Sequence, residues 1–473
     1  MQNLMDDIKN NTQPGRKPDE IESLIIYGGP VYDGRGNLYE QGAVFIENDR
    51  ISLIGEEQEV FGKMQEAMQN IEILNADGKL VSPGLINAHH HVHMAFATAL
   101  TPLGPTGTFG ERLENFIWPY EKSLSKEALQ LSTLLTLIDS IKYGVTTIFV
   151  HHSSPSAIED SLKIISGAFK RAGMRGLISY SLTDQFGEDR FREAILESTE
   201  FVSEHRMTSL IEAVPGLHAN FTISDASLEA FIDNFGTDKG LHIHLGEAEE
   251  DLKFCQNKGY EGCVDRLDKF DLINENTILA HANHLSKRDI EIIKNKQPAL
   301  IHNPVSNANS QAGWFELARA NDTITGMGTD GLGSNILGDL NRAKLLHNIY
   351  GQQQAGLDQT LVKLLFENNA KIASRHFDLK IGTLEEGNRA DVVIFDYEPN
   401  TLIHSNNVNM HLINGIKDSA ASTVIANGKV IYKDKVFLSI DKEIVKKEAR
   451  DLCKDVWEKY VKQGGNLNNN PSA

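Results

Sequence analysis

Two histidines one residue apart close an apolar run, Val81-Ser-Pro-Gly-Leu-Ile-Asn-Ala-His-His-His91, and the two-residue repeat of a strand puts His89 and His91 on one face. Such a pair is half of a metal site. Two further strand-like runs supply the other half: Leu241-His-Ile-His-Leu-Gly-Glu247 carries His244 and Glu247, and Thr325-Gly-Met-Gly-Thr-Asp-Gly331 carries Asp330. Three neutral imidazoles and one carboxylate suit Zn²⁺ or Fe²⁺. They leave a coordination position for water, whose pKa the ion lowers toward neutrality. Glu247 stands beside them as an acid.

The elements that must position these residues alternate in texture. Strand-like runs at 81–91, 143–152, 174–181, 211–218, 241–247, 277–283, 298–303 and 324–330 are separated by helix-like stretches. After Ser125, for instance, Leu131, Leu134, Leu135, Ile138 and Ile141 recur at helical spacing. Eight strand–helix repeats predict an α/β protein built on a (β/α)8 TIM barrel, with its chemistry at the C-terminal ends of the strands. Short strand-like runs separated by turn signals fill Ile21 to Lys79, and the same texture returns in Ala390 to Asp396 and Ser422 to Tyr432. Both chain ends are therefore expected to build one small β-sandwich domain. The expected boundaries are a disordered tail over 1–20, the β-sandwich from 21–81 plus 381–437, the barrel over 82–380, and a C-terminal helix and tail over 438–473.

The totals narrow the class. A chain of 473 residues with 40% hydrophobic and 23% charged residues reads as a soluble enzyme-sized protein. A net charge of −19, with no dense Lys/Arg stripe, argues against nucleic acid, and no apolar run is long enough to span a bilayer. The first twenty residues lack the order of a signal peptide, and Cys255, Cys263 and Cys453 give no disulfide framework, so the cytoplasm is the default compartment.

These motifs resemble the amidohydrolase superfamily, in particular its branch of guanine-type deaminases, triazine hydrolases and related aminohydrolases. The likeness rests on Pro83-Gly-Leu-Ile-Asn-Ala-His89-His-His91, Leu241-His-Ile-His244-Leu-Gly-Glu247, Leu279-Ala-His281 and Gly328-Thr-Asp330, with Gly382-Thr-Leu-Glu-Glu-Gly387 and Ala390-Asp391 as the return to the β domain. His151-His152-Ser-Ser-Pro155 and Ile301-His-Asn303-Pro-Val-Ser-Asn307 are most similar to SsnA-type aminohydrolases. The resemblance implies one divalent metal ion per chain, zinc foremost and iron second, held by His89, His91, His244 and Asp330. It also implies proton transfer by Glu247 to the ring nitrogen under attack, with Asp330 accepting a proton from the water. His281 would contact the attacking hydroxide, and His218 the substrate. The run Ala213-Val-Pro-Gly-Leu-His218 holds no lysine, which favours a mononuclear site over the binuclear branch. An arginine that related aminohydrolases often carry after the histidine pair is missing from His93-Met-Ala-Phe-Ala-Thr98. Homo-oligomers are common in the family, so one is expected here.

The implied function is hydrolytic deamination, by metal-bound hydroxide, of an amino-substituted N-heterocycle of purine, pterin or triazine type. Ring opening of a cyclic amide is the alternative, and a non-catalytic scaffold the remote one. Asn303 is a candidate polar substrate contact, and Trp118, in the Pro/Gly-rich lid segment after Thr101, a candidate to stack on a planar ring. His90 faces the other side of its strand and reads as structural, and His93 as a pocket residue. His151 and His152 divide evenly between pocket lining and a capped or solvated pair. The Gly326-Met-Gly328-Thr-Asp-Gly331 pattern is too weak and too late in the chain to indicate a dinucleotide.

Overall fold

The computed structural model describes residues 23–64, 71–205, 210–351 and 355–464. The tail expected over 1–20 and the last residues of the chain lie outside them. Strands from both ends meet in one sheet: β1 (Ser23–Tyr32), β2 (Leu38–Glu47), β3 (Arg50–Glu56), β4 (Ile71–Asn75) and β5 (Val81–Pro83) come from the first part of the chain. A second set of strands, β15 (Val392–Phe395), β16 (Ala421–Ala426), β17 (Lys429–Lys433) and β18 (Val436–Phe437), comes from the last part. Their order is β18-β17-β16-β15-β5-β1-β2-β3, with β4 beside β1. Leu24, Ile26, Val44 and Ile46 pack with Val392, Ile394 and Ile425, whereas Ile25, Ala43 and Phe45 pack on the other side with Val60, Phe61 and Met64. Alternate side chains of the same strands serve two cores, so these runs are apolar throughout.

The middle of the chain is a mixed α/β fold with parallel sheets. One sheet joins β6 (Leu85–His90), β7 (Val145–His152), β8 (Arg175–Tyr180) and β9 (Ile211–Ala213). The other joins β10 (Gly216–Ala219), β11 (His242–Leu245), β12 (Ile278–His281), β13 (Ala299–His302) and β14 (Ile324–Met327). Single bridges, His90 to Asp330 and Leu182 to Leu217, connect residues of the two sheets at both seams. Every one of the eight expected runs holds a strand. Two of them are broken: the run 211–218 is interrupted at Val214-Pro215, where proline lacks a ladder donor, and the run 81–91 divides at Gly84. There Val81–Pro83 pairs with β1 and β15, and Leu85–His90 pairs with β7. A side chain at position 84 would strike Thr146, so only glycine lets the chain pass from one sheet to the other at this point.

Helices cover the parallel strands. Lys126–Lys142 begins where the Ser125 hydroxyl accepts from the Ala128 N–H, and it buries Leu131, Leu134, Ile138 and Ile141 as their spacing requires. The C-terminal helix Lys442–Gln463 packs Val456 and Tyr460 against Ala97, Tyr120 and Leu124, and the Tyr460 hydroxyl donates to the Thr101 carbonyl at 2.9 Å. It backs the segment expected to act as a lid. Among the described residues no helix is long and apolar enough to cross a membrane.

A buried ion pair ties the two parts together. Arg175, at the start of β8, reaches Asp391 beside β15, and it donates to Asn427 Oδ1 at 2.7 Å, while Asp391 Oδ1 accepts the Asn427 N–H at 2.7 Å. Replacing Asp391 by alanine leaves the fully buried guanidinium without its counter-charge, and should destabilise the protein by about 3–5 kcal/mol in denaturant unfolding. A change below about 1 kcal/mol, the size of an exposed pair, would show that the pair does not couple the sheets.

Candidate metal centre

The side chains at the C-terminal ends of β6, β11 and β14 converge. One ligand-type atom each from His89, His91, His244 and Asp330 lies within 4.8 Å of the others, and Glu247, His281 and Asp330 form a second such group that shares the aspartate. Asp330 Oδ1 is 2.8 Å from His91 Nε2 and 3.5 Å from His89 Nε2, while His91 and His244 bring their Nε2 atoms to 3.2 Å. His281 Nε2 stands 3.6 Å from Glu247 Oε2, and its Nδ1 donates to Asn307 Oδ1 at 2.7 Å.

Local backbone geometry produces this convergence. After β14 the chain turns sharply at Asp330, which sits in the left-handed region at φ +57°, an uncommon state for a non-glycine residue that aspartate tolerates better than most. The turn is held against β6: the Thr329 and Asp330 N–H groups both donate to the His89 carbonyl, at 3.2 and 3.0 Å. Asn87 donates from Nδ2 to the Thr329 hydroxyl at 2.7 Å and accepts the Thr329 N–H at 3.1 Å, and His90 Nδ1 lies 2.9 Å from the same hydroxyl. His90 is structural, as its strand parity indicates. A Cβ on Gly328 would lie 2.8 Å from the His89 carbonyl oxygen and 2.6 Å from Asn303 Oδ1, so the close approach of the two strands needs glycine there.

Burial sets the charge states. It lowers His89 to about 3 and holds His244 well below the ordinary histidine value, so both rings are neutral and offer lone pairs. Burial would raise Asp330, but the charge and the hydrogen bond of His91, 2.8 Å away, with His89 alongside at 3.5 Å, outweigh it and keep the carboxylate ionised. Burial, reinforced by the charge of Asp330, pushes the Glu247 carboxyl well above the ordinary carboxylate range, toward its protonated form. His89 Nε2 is buried with no hydrogen-bond partner among the described residues, although it faces the other three groups. An orphaned lone pair beside two imidazoles and a carboxylate fits a divalent cation.

The family model described as the amidohydrolase family matches residues 80–431. The chain belongs to the amidohydrolase family. Its family is metal-dependent, and the structure holds a His/His/His/Asp group that could bind a metal ion. The chain is 28% identical over 426 residues to the 5'-deoxyadenosine deaminase of Methanocaldococcus jannaschii, covering 86% of this chain and 95% of that protein. It is also 28% identical over 423 residues to the 5-methylthioadenosine/S-adenosylhomocysteine deaminase of Thermococcus sibiricus, at 86% and 94% coverage. Its fold is similar to that of a zinc-bound adenosine deaminase from Xanthomonas campestris, with a TM-score of 0.79 and 20% identity over 92% of this chain and 98% of the other. E. coli guanine deaminase follows with a TM-score of 0.73, 19% identity and 87% and 99% coverage.

In this amidohydrolase the cluster opens into a cleft. His91, His244, Glu247 and Asp330 line its floor, with His218 on one wall and the lid residues Phe109, Leu113, Phe116 and Ile117 over it. His218 Nδ1 is fixed 2.9 Å from the Thr222 hydroxyl. His93 also lines the cleft, 3.7 Å from Glu121. Two of the expected contacts do not line this cleft. Trp118 is buried at the start of its helix and does not line the cleft; the neighbouring Phe116 and Ile117 do. Asn303 is fully buried below the floor, against Gly328, and is not part of the lining either. His151 and His152 are both fully buried, which removes the solvated reading: His151 accepts the His91 Nδ1–H on its carbonyl at 2.6 Å, and His152 lies 2.8 Å from the Ser154 hydroxyl.

Sequence reasoning missed several polar lining residues, Arg112, Glu121 and Ser306 among them. Arg112 comes from the lid helix Phe109–Arg112, so the cleft has an arginine even though none follows the histidine pair. Glu121 sits three residues beyond Trp118, and Ser306 donates to Asp330 from the helix after β13. Their loops and short helices lack periodicity, and only the proximity of Glu121 and Ser306 to Trp118 and Asn303 was a signal. Thr329→Val removes the hydroxyl shared by Asn87 and His90 and leaves buried polar atoms without it. It should cost about 1–3 kcal/mol in unfolding experiments; unchanged stability would show that the β6–β14 seam does not need it.

Proposed function

We propose that the chain is a metal-dependent aminohydrolase that hydrolyses a carbon–nitrogen bond outside a peptide, deaminating an amino-substituted N-heterocycle. The convergence of His89, His91, His244 and Asp330 beside Glu247, whose carboxyl burial pushes up, carries this reading. The named activities of the relatives favour an aminopurine among the purine-, pterin- and triazine-like rings. The eight parallel runs, with β9 and β10 as the two halves of one, are read as one closed (β/α)8 barrel over 82–380, supported by the bridges at both seams. The nine-stranded sheet, with a core on each face, is read as a sandwich domain from 21–81 and 381–437, and 438–473 as the C-terminal extension.

The imidazoles of His89, His91 and His244 and the Asp330 carboxylate are the proposed metal ligands, with Zn²⁺ favoured by the histidine-rich set. A bound ion there acidifies water into a nucleophile at neutral pH. Asp330 takes the proton released when water adds to the amino-bearing ring carbon. Glu247 gives its proton to the adjacent ring nitrogen, which is the role its raised pKa prepares. His281, oriented by Asn307, points Nε2 toward Glu247, where it can hold the oxygen being added. As the carbon–nitrogen bond breaks, Asp330 returns its proton to the departing amine and Glu247 recovers one from the new hydroxyl, so ammonia leaves and the carbonyl forms. His218 and the lid side chains are the proposed substrate contacts, in place of Trp118 and Asn303.

Incubating zinc-loaded protein with aminopurines, aminopterins and aminotriazines should release ammonia with the ring intact. A ring-opened product one water heavier would establish the other hydrolysis. Glu247→Gln should keep its metal while turnover falls on the order of 10²–10⁴-fold; undiminished turnover would remove Glu247 from proton transfer. His244→Ala should instead lose metal, measured by elemental analysis, because a ligand has gone; full metal content would exclude His244 from the set.

A further inference from the structure

The strand that supplies His244 carries another histidine two residues earlier, and the same alternation that points His244 at the cluster places His242 in the layer beneath it. His242 is fully buried, and its Nε2 lies 2.8 Å from His89 Nδ1. His91 is engaged at the same atom, since its Nδ1–H donates to the His151 carbonyl at 2.6 Å. In both rings Nδ1 is therefore occupied and Nε2 faces Asp330, at 3.5 Å from His89 and 2.8 Å from His91.

The two holds differ in kind. A carbonyl only accepts, so it compels His91 to carry its proton on Nδ1. An imidazole either accepts or donates at Nε2, and only an accepting His242 leaves His89 with a lone pair on its own Nε2. Accepting there places the His242 proton on Nδ1, and that atom is buried with no hydrogen-bond partner among the described residues. The arrangement thus carries two orphaned atoms, His242 Nδ1 and His89 Nε2. A cation at the cluster partners the second, and this offsets the cost of the first. The rings of His151 and His89 lie with centroids 4.7 and 4.9 Å from that of His242 and pack it on two sides.

We propose that His242 is a positioning residue of the metal centre: it accepts the His89 Nδ1–H, sets the rotation of that ring, and turns the His89 Nε2 lone pair toward His91, His244 and Asp330. The inference rests on the ligand set proposed above and adds to it a residue that touches neither metal nor substrate. Removing such an outer hydrogen bond weakens metal binding by about 10–100-fold.

The test uses the full-length protein, with Zn²⁺ affinity measured by chelator competition and the visible spectrum of the Co²⁺-substituted form. His242→Leu should bind Zn²⁺ about 10–100-fold more weakly and shift the Co²⁺ bands, while His242→Gln, whose amide oxygen accepts at a similar reach, should restore both. A merely structural role would lower the melting temperature of the metal-free leucine variant and leave affinity and spectrum unmoved, and that result overturns the assignment. If the leucine variant does not fold, His242→Asn takes its place. Its shorter amide ends before His89, so it must bind more weakly than the glutamine variant, and equal affinities again overturn the proposal. Failure of the wild-type protein itself to bind Zn²⁺ would sink the ligand set and this inference with it.

Discussion

The clamp between β6 and the turn after β14 is the constraint on which the rest of the site depends. One carbonyl, that of His89, accepts two successive N–H groups, from Thr329 and Asp330, and this forces the backbone into the left-handed turn that delivers the Asp330 carboxylate to His89 and His91. Asn87, His90 and Thr329 close the same seam from the side, and Gly328 permits the approach. At the end of β6 His90 hydrogen-bonds the seam while His89 and His91, of the opposite parity, face the cluster, so one segment does both tasks. The parallel arrangement then brings His244 and His281 to the same end from β11 and β12.

Burial does the electrostatic tuning. The same desolvation that keeps His89 and His244 neutral pushes the Glu247 carboxyl up, while Asp330 stays ionised because it is held by His89 and His91. The pKa values of two carboxyl groups in one cleft are thereby driven apart. That separation divides the labour of an acid and a base between Glu247 and Asp330. The lid completes the environment from a distance, since the C-terminal helix packs Tyr460 beside Phe116, whose ring lines the cleft.

Much of this was legible in the sequence because parallel strands are buried on both faces and leave unbroken apolar runs, and because polar residues at their ends stand out against them. The pairs His89/His91 and His244/Glu247 were readable for that reason. The division at Gly84 was hidden because both halves of the run 81–91 are buried, one in each sheet. Arg112 and Glu121 come from short helices with no strand or helical repeat to mark their direction. Trp118 illustrates the same limit: an aromatic in the lid segment can face the cleft or its own core, and a turn of helix placed Phe116 and Ile117 inward instead. Nothing in the sequence singles out His242, and only its distance to His89 marks it out.

The central claim is that the four convergent side chains form a metal centre, and anomalous diffraction at the zinc edge from crystals of the zinc-loaded protein tests it most directly. The expected map has one peak per chain, about 2.0–2.2 Å from the nearest atoms of His89, His91, His244 and Asp330. A zinc-loaded protein with no peak at that position, or with its zinc held by other residues, would contradict it.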